Sequence, residues 1–193
     1  MKKNLLVLIA CINSFISYSQ NGVNEKDFLG EYNLPSNFFD PTFNAKEYII
    51  TYYDSLSKSV GKNILPPEKL ITDAVHLLIR RKMFDKAYWL LRMNIYNYPK
   101  NDKLYQEMGD YYKVTHDMDR AFVWYSRALT VKYKQPSFIS DTSIKFDAAI
   151  AAGYRQLSEQ TGRKTFPPQY LITNIAYNFL KIKKTDKAWT YLR

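Results

Sequence analysis

The sequence predicts an all-α fold: helical hairpins preceded by an extra helix, with the whole motif repeated after about 100 residues. Three observations predict it. Apolar side chains recur with helical spacing, and no stretch shows convincing strand alternation. Residues 64–92, ILPPEKLITDAVHLLIRRKMFDKAYWLLR, return 101 positions later as TFPPQYLITNIAYNFLKIKKTDKAWTYLR, residues 165–193. Between the two copies, paired helices recur with a period near 34 residues, a length typical of stacked helical hairpins.

The N-terminus reads as an export signal over residues 1–19. Lys2 and Lys3 precede an apolar run from Leu5 to Ile16, and Ser17-Tyr18-Ser19 offers small side chains for cleavage before Gln20. The run is shorter than the ~20 residues of a membrane-spanning helix. A second reading rests on Leu8-Ile9-Ala10-Cys11, which fits a lipobox whose cysteine would carry a lipid. The apolar residues Ile12 to Ile16 after it argue for the soluble form. Cys11 is the one cysteine of the chain, so the soluble mature form would hold no disulfide, thiolate metal site or cysteine nucleophile. The expected location is the periplasm or the exterior.

The formal charge of +10 falls to +8 without Lys2 and Lys3. A lysine-rich solvated surface accounts for it. Nucleic-acid binding is not expected of an exported chain, whereas attraction to a membrane surface or an acidic polymer stays open.

Residues 20–42 have no period and read as an irregular leader, whose Phe28, Tyr32, Phe38 and Phe39 suit docking on the first helices. Residues 43–133 form an extra helix and two hairpins. Ala45, Ile49, Tyr52, Tyr53 and Leu56 mark one buried face of the extra helix, Gly61 sits at its C-cap, and Pro66-Pro67 opens the next helix. Hairpin helices are expected near 67–81 and 84–98, then 102–115 and 118–133. Residues 134–143 read as a linker. Residues 144–193 begin the second copy, with Phe146, Ile150, Gly153, Tyr154 and Leu157 on the extra helix, then Gly162 and Pro167-Pro168. Aligning 43–92 on 144–193 gives 16 identities in 50 positions.

The hairpins resemble tetratricopeptide repeats. That pattern wants a bulky residue at position 4, a small one at 8, a bulky or aromatic one at 11, Ala at 20, a bulky one at 24, Ala at 27 and Pro at 32. From Asp102, Tyr105, Gly109, Tyr112, Ala121, Tyr125 and Ala128 match through position 27, and Tyr133 replaces the proline. From Glu68, Ile71, Leu78, Ala87, Leu91 and Pro99 match, with Val75 and Asn94 at positions that prefer a small residue and Ala. From Gln169, Ile172, Ala176, Phe179, Ala188 and Leu192 match before Arg193. Small residues let two helices approach at their crossing, and large ones fill the space beside it; no hairpin buries its apolar face alone.

The tetratricopeptide resemblance implies a concave groove lined by the first helix of each pair. The implied groove residues are Lys69, Thr72, His76, Ile79 and Arg80, then Lys103, Gln106, Asp110, Lys113 and Val114, then Tyr170, Thr173, Tyr177, Leu180 and Lys181. Such a basic groove would suit a protein partner bearing an acidic peptide segment or a C-terminal carboxylate. A solvated face without a partner is the plain alternative.

The lone helix followed by Gly and Pro-Pro is narrower than a generic repeat. Leu56-Ser57…Gly61 with Pro66-Pro67, and Leu157-Ser158…Gly162 with Pro167-Pro168, are similar to the C-terminal tails of secreted esterases of the enterochelin-esterase-like α/β-hydrolase type. The resemblance implies an accessory tail that docks on a hydrolase. It does not bring the hydrolase with it: the chain has no G-x-S-x-G elbow. His76 and His116 fall in different hairpins and make a poor metal pair. Ser57 and Ser158 before glycine suit a structural role, and Asp117 and Asp119 suit a helix cap. No catalytic residue, metal or cofactor is expected. The chain stops inside the second helix of the third pair, where Trp189 and Leu192 would lack a neighbour, so a homodimer through that end, or low stability, is expected.

Overall fold

The computed structural model describes residues 24–135 and 146–192. The expected signal segment, Cys11 and most of the expected linker lie outside the described residues. Every regular element among the described residues is helical. In order these are α1 (Glu25–Glu31), α2 (Ala45–Val60), α3 (Glu68–Arg80), α4 (Phe84–Asn97), α5 (Asp102–Val114), α6 (Met118–Lys134), α7 (Phe146–Thr161), α8 (Gln169–Lys181) and α9 (Thr185–Leu192). They form two compact units, one ending at Asn97 and the next beginning at Tyr98.

In the first unit the leader is not irregular throughout. Asn24 accepts the Lys26 N–H at 3.0 Å, and Glu25 and Asp27 place negative charge in the first turn of α1, where the helix dipole favours it. Phe28, Phe38 and Phe39 are buried completely or nearly so. The Phe28 centroid lies 6.2 Å from that of Phe38 and 5.7 Å from that of Phe39. Phe38 also meets Tyr48 of α2 edge-on. A seven-residue helix is marginal alone, and this aromatic cluster supplies the tertiary packing that holds it.

Asn44 caps α2 by accepting the Glu47 N–H at 3.2 Å. Ala45 and Ile49 are buried, but Tyr52 is 52 % exposed, and Tyr53 and Leu56 are half-buried. The expected stripe is covered at its N-terminal end only, where α2 packs on α4; toward Val60 the helix faces solvent. Gly61 ends it at φ +69°, a left-handed conformation that glycine adopts without strain. Ser57 Oγ then accepts the Ile64 N–H at 2.8 Å and fastens the turn that leads to Pro66-Pro67.

Helices α3 and α4 form the first hairpin, α5 and α6 the second, α8 and α9 the third. Their turns share one geometry. Lys82, His116 and Lys183 have φ of +58°, +63° and +59°. Met83, Asp117 and Lys184 donate their N–H to the carbonyls of Leu78, Tyr112 and Phe179 at 2.9, 2.8 and 2.9 Å. These bonds satisfy helix-end carbonyls that a plain helix would leave open. All three left-handed residues are the fifteenth of their hairpins.

In the second unit, Asn101 and Asp117 cap α5 and α6. Helix α7 packs on α6, burying Ile150, Tyr154 and Leu157. Tyr133, which stands where the repeat pattern has proline, is buried and donates its hydroxyl to the Ala149 carbonyl at 2.8 Å. Gly153 permits that approach, since a Cβ there would collide with the Tyr133 hydroxyl. The second copy reproduces the first element by element: α7 and α8 have the bounds of α2 and α3 moved by 101 residues. Gly162 has φ +68°, and Ser158 Oγ accepts the Thr165 N–H at 2.9 Å.

Candidate binding faces

Small side chains are buried in each hairpin. Ala87, Ala121, Ala176 and Ala188 are fully buried, and Ala128 nearly so. Gly109 is buried against the Tyr125 ring. The larger residues beside them are closed in as well: Ile71 and Leu91 completely, Tyr112, Tyr125 and Phe179 almost so. Tyr105 is half-buried, with its ring 6.1 Å from that of Trp124 and its hydroxyl donating to the Pro99 carbonyl. Asn94, at a position where the pattern prefers alanine, is completely buried and donates to the Glu68 carbonyl at 3.2 Å and Thr72 Oγ1 at 3.3 Å.

The expected groove residues behave differently in each hairpin. On α3, Lys69 and Arg80 are exposed, Thr72 and His76 are half-buried, and Ile79 is buried. The leader lies along this helix. Glu25 pairs with Arg81 at 2.5 Å, and Glu31 approaches Lys69 to 3.8 Å, so α1 runs antiparallel to α3. Lys69 also sits over the Tyr32 ring and binds Asp73 at 2.5 Å. Asp73 is 7 % exposed. Burial holds the His76 imidazole below the usual histidine range, with Asp73 opposing and Arg80 reinforcing that shift. The α3 face is therefore already in use within the chain, and Ile79 belongs to its core rather than to an open groove.

On α5, Lys103 and Gln106 are exposed while Lys113 and Val114 are half-buried. Asp110 turns to the hairpin interior, where it accepts the Tyr125 hydroxyl at 2.6 Å. Gln106 and Asp110 border a small cleft of about 100 Å³ that Gln156 and Gln160 of α7 close from the other side. Of the five implied positions, Asp110 serves the fold; sequence spacing gave no sign that Tyr125 would claim its carboxylate.

On α8 the corresponding face is open. Tyr170 is 54 % exposed, Tyr177 58 % and Leu180 37 %, and Lys181 is exposed with them. Thr173 is half-buried. Tyr170 leans on α6, with its hydroxyl 3.1 Å from Thr130 Oγ1 and Lys134 over its ring. Tyr177 and Lys181 project beyond that contact. Trp189 and Leu192 of α9 are also substantially exposed. An apolar cleft of about 480 Å³ opens between α7, α8 and α9, lined by Ile150, Tyr154, Phe166, Pro167, Ile172 and Tyr191.

Comparison with protein-family models finds no matching model, and comparisons with curated proteins and with solved structures find no match. Among the described residues, no group of three His, Cys, Asp or Glu side chains is placed to hold a metal ion, and no helix is long and apolar enough to cross a membrane.

Proposed function

We propose that this chain is an exported protein–protein interaction module built from hairpins of the tetratricopeptide kind, which grips a segment of a partner protein along the first helix of a hairpin. The observation that carries the reading is the exposed stripe of Tyr177, Leu180 and Lys181 on α8. Aromatic side chains beside a cation offer both apolar contact area and a donor for carboxylate, the chemistry of peptide capture. The shared turn geometry at the fifteenth residue of each hairpin, with buried alanine at the twentieth, supports the tetratricopeptide relation.

Co-purification of the full chain from its native envelope, with identification of what comes down, tests the interaction reading. A discrete partner retained through washing supports it; a chain recovered alone from every fraction contradicts it. Mass spectrometry of the mature N-terminus tests export. A chain beginning at Gln20 supports the soluble form, and a diacylglyceryl Cys11 would replace that form with a surface lipoprotein.

A further inference from the structure

The two copies of the motif differ in what lies on the first hairpin helix. In the first unit the leader is tied to both ends of α3, by Glu31 and the Tyr32 ring on Lys69 and by Glu25 on Arg81; between those ends Asp73 and His76 lie in the stripe Lys69, Asp73, His76 and Arg80. The equivalent stripe on α8 is Tyr170, Asn174, Tyr177 and Lys181. Asp73 is 7 % exposed, whereas its counterpart Asn174 is exposed; His76 is half-buried, whereas Tyr177 is 58 % exposed. The second copy has no leader helix of its own to supply. The positions equivalent to α1, residues 126–132, lie inside α6, which packs on α5, α7 and α8.

From this difference we infer that the α8 stripe binds a partner protein's short acidic helix bearing an aromatic side chain, in the way that α1 binds α3. The inference rests on the interaction reading above and names the partner's chemistry. The leader is the template. Its helix has Glu25, Asp27 and Glu31 against one lysine, and it presents Phe28 on the buried side. The receiving end in the second copy has matching charge: Lys181, Lys183, Lys184 and Lys187 surround the C-terminal end of α8, with Asp186 the one acid among them. Tyr177 stands where the first unit has His76 and offers an exposed ring as an apolar platform. Arg81 is replaced by Ile182, which is 43 % exposed; the acid that pairs with Arg81 in the first copy would here fall to Lys181.

The probe is a labelled synthetic peptide of residues 24–43 of this chain, NEKDFLGEYNLPSNFFDPTF, titrated into the full chain and followed by fluorescence anisotropy. Saturable binding is expected. Tyr177→Glu with Lys181→Glu should weaken it at least tenfold, and so should Phe28→Ala in the peptide. Tyr96→Glu, at a residue 85 % exposed on α4, should leave it unchanged. Circular dichroism checks that the double variant keeps its helices; should it unfold, the peptide variants alone decide. Three results would overturn the inference: no saturable binding, binding unaffected by the α8 substitutions but lost on Arg81→Ala, or self-association of the chain that Tyr177→Glu abolishes. The third would make a second copy the occupant. An identified native partner still held by the double variant would leave the interaction reading standing and remove α8 as its site.

Discussion

The ring of Tyr125 lies so close over Gly109 that a Cβ at that position would stand 2.5 Å from its Cδ1. Here α5 and α6 meet, and glycine is required by contact rather than by backbone conformation. Gly109→Ala gains helix propensity of about 1 kcal/mol but overpacks a closed contact. We expect a net loss of about 1–2 kcal/mol, read as a lowered midpoint in chemical denaturation. Combining it with Tyr125→Leu should recover part of the loss, because the two residues share one contact. Additive losses would mean that the collision is relieved elsewhere.

The serine before each C-cap glycine has one job in both copies. Ser57 Oγ accepts the Ile64 N–H and Ser158 Oγ the Thr165 N–H, at 2.8 and 2.9 Å. Ser57→Ala and Ser158→Ala should each cost about 1 kcal/mol, the net worth of a hydrogen bond. Equal effects at the two sites would support a structural repeat. A null effect at both would leave the recurrence of serine without a physical reason.

The leader belongs to the folded first unit. Phe28→Ala should destabilise it by about 3 kcal/mol, since a fully buried phenyl ring is replaced by a cavity. Faster amide exchange along α3 should accompany the loss, because the leader is tied to both ends of that helix through Lys69 and Arg81. Unchanged exchange in α3 would show that these ties do not steady it.

Stability should fall at both ends of the pH scale. Burial, reinforced by the Asp102 charge, pushes the Tyr133 phenol up to about 12 from an ordinary 10.0. Tyr125 and Tyr154 also lie well above the tyrosine range, chiefly through burial. A phenol that keeps its proton longer in the folded state stabilises the fold fully below pH 10, and that contribution is lost as pH rises toward 12. Tyrosinate absorbance should therefore rise together with helix loss for part of the tyrosines. His76 acts at the other end. Its depressed pKa gives stability present above about 6.5 and lost on acidification, and His76→Gln should flatten that limb.

Much of the architecture was legible because glycine and proline punctuate it. Gly61, Pro66-Pro67, Gly162 and Pro167-Pro168 bracket helices whose observed ends fall within a residue or so of expectation. Helix α1 was missed because seven residues with one buried side chain carry no period; Asn24 with Glu25 and Asp27 was the available signal. Spacing puts Tyr52 on the buried stripe but does not say how much of that stripe a neighbour covers. Position in the repeat points Ile79 and Asp110 to an open groove. An aliphatic side chain at a solvent position was a warning at Ile79, whereas the Tyr125 hydroxyl that claims Asp110 depends on the crossing of two helices.

A photo-reactive phenylalanine analogue placed at position 177 and irradiated in the native host tests most directly whether α8 is a binding face. One discrete, identifiable adduct with another protein is expected, absent when the same analogue occupies the more exposed position 96. No adduct at 177, or the same diffuse products from both positions, would contradict it.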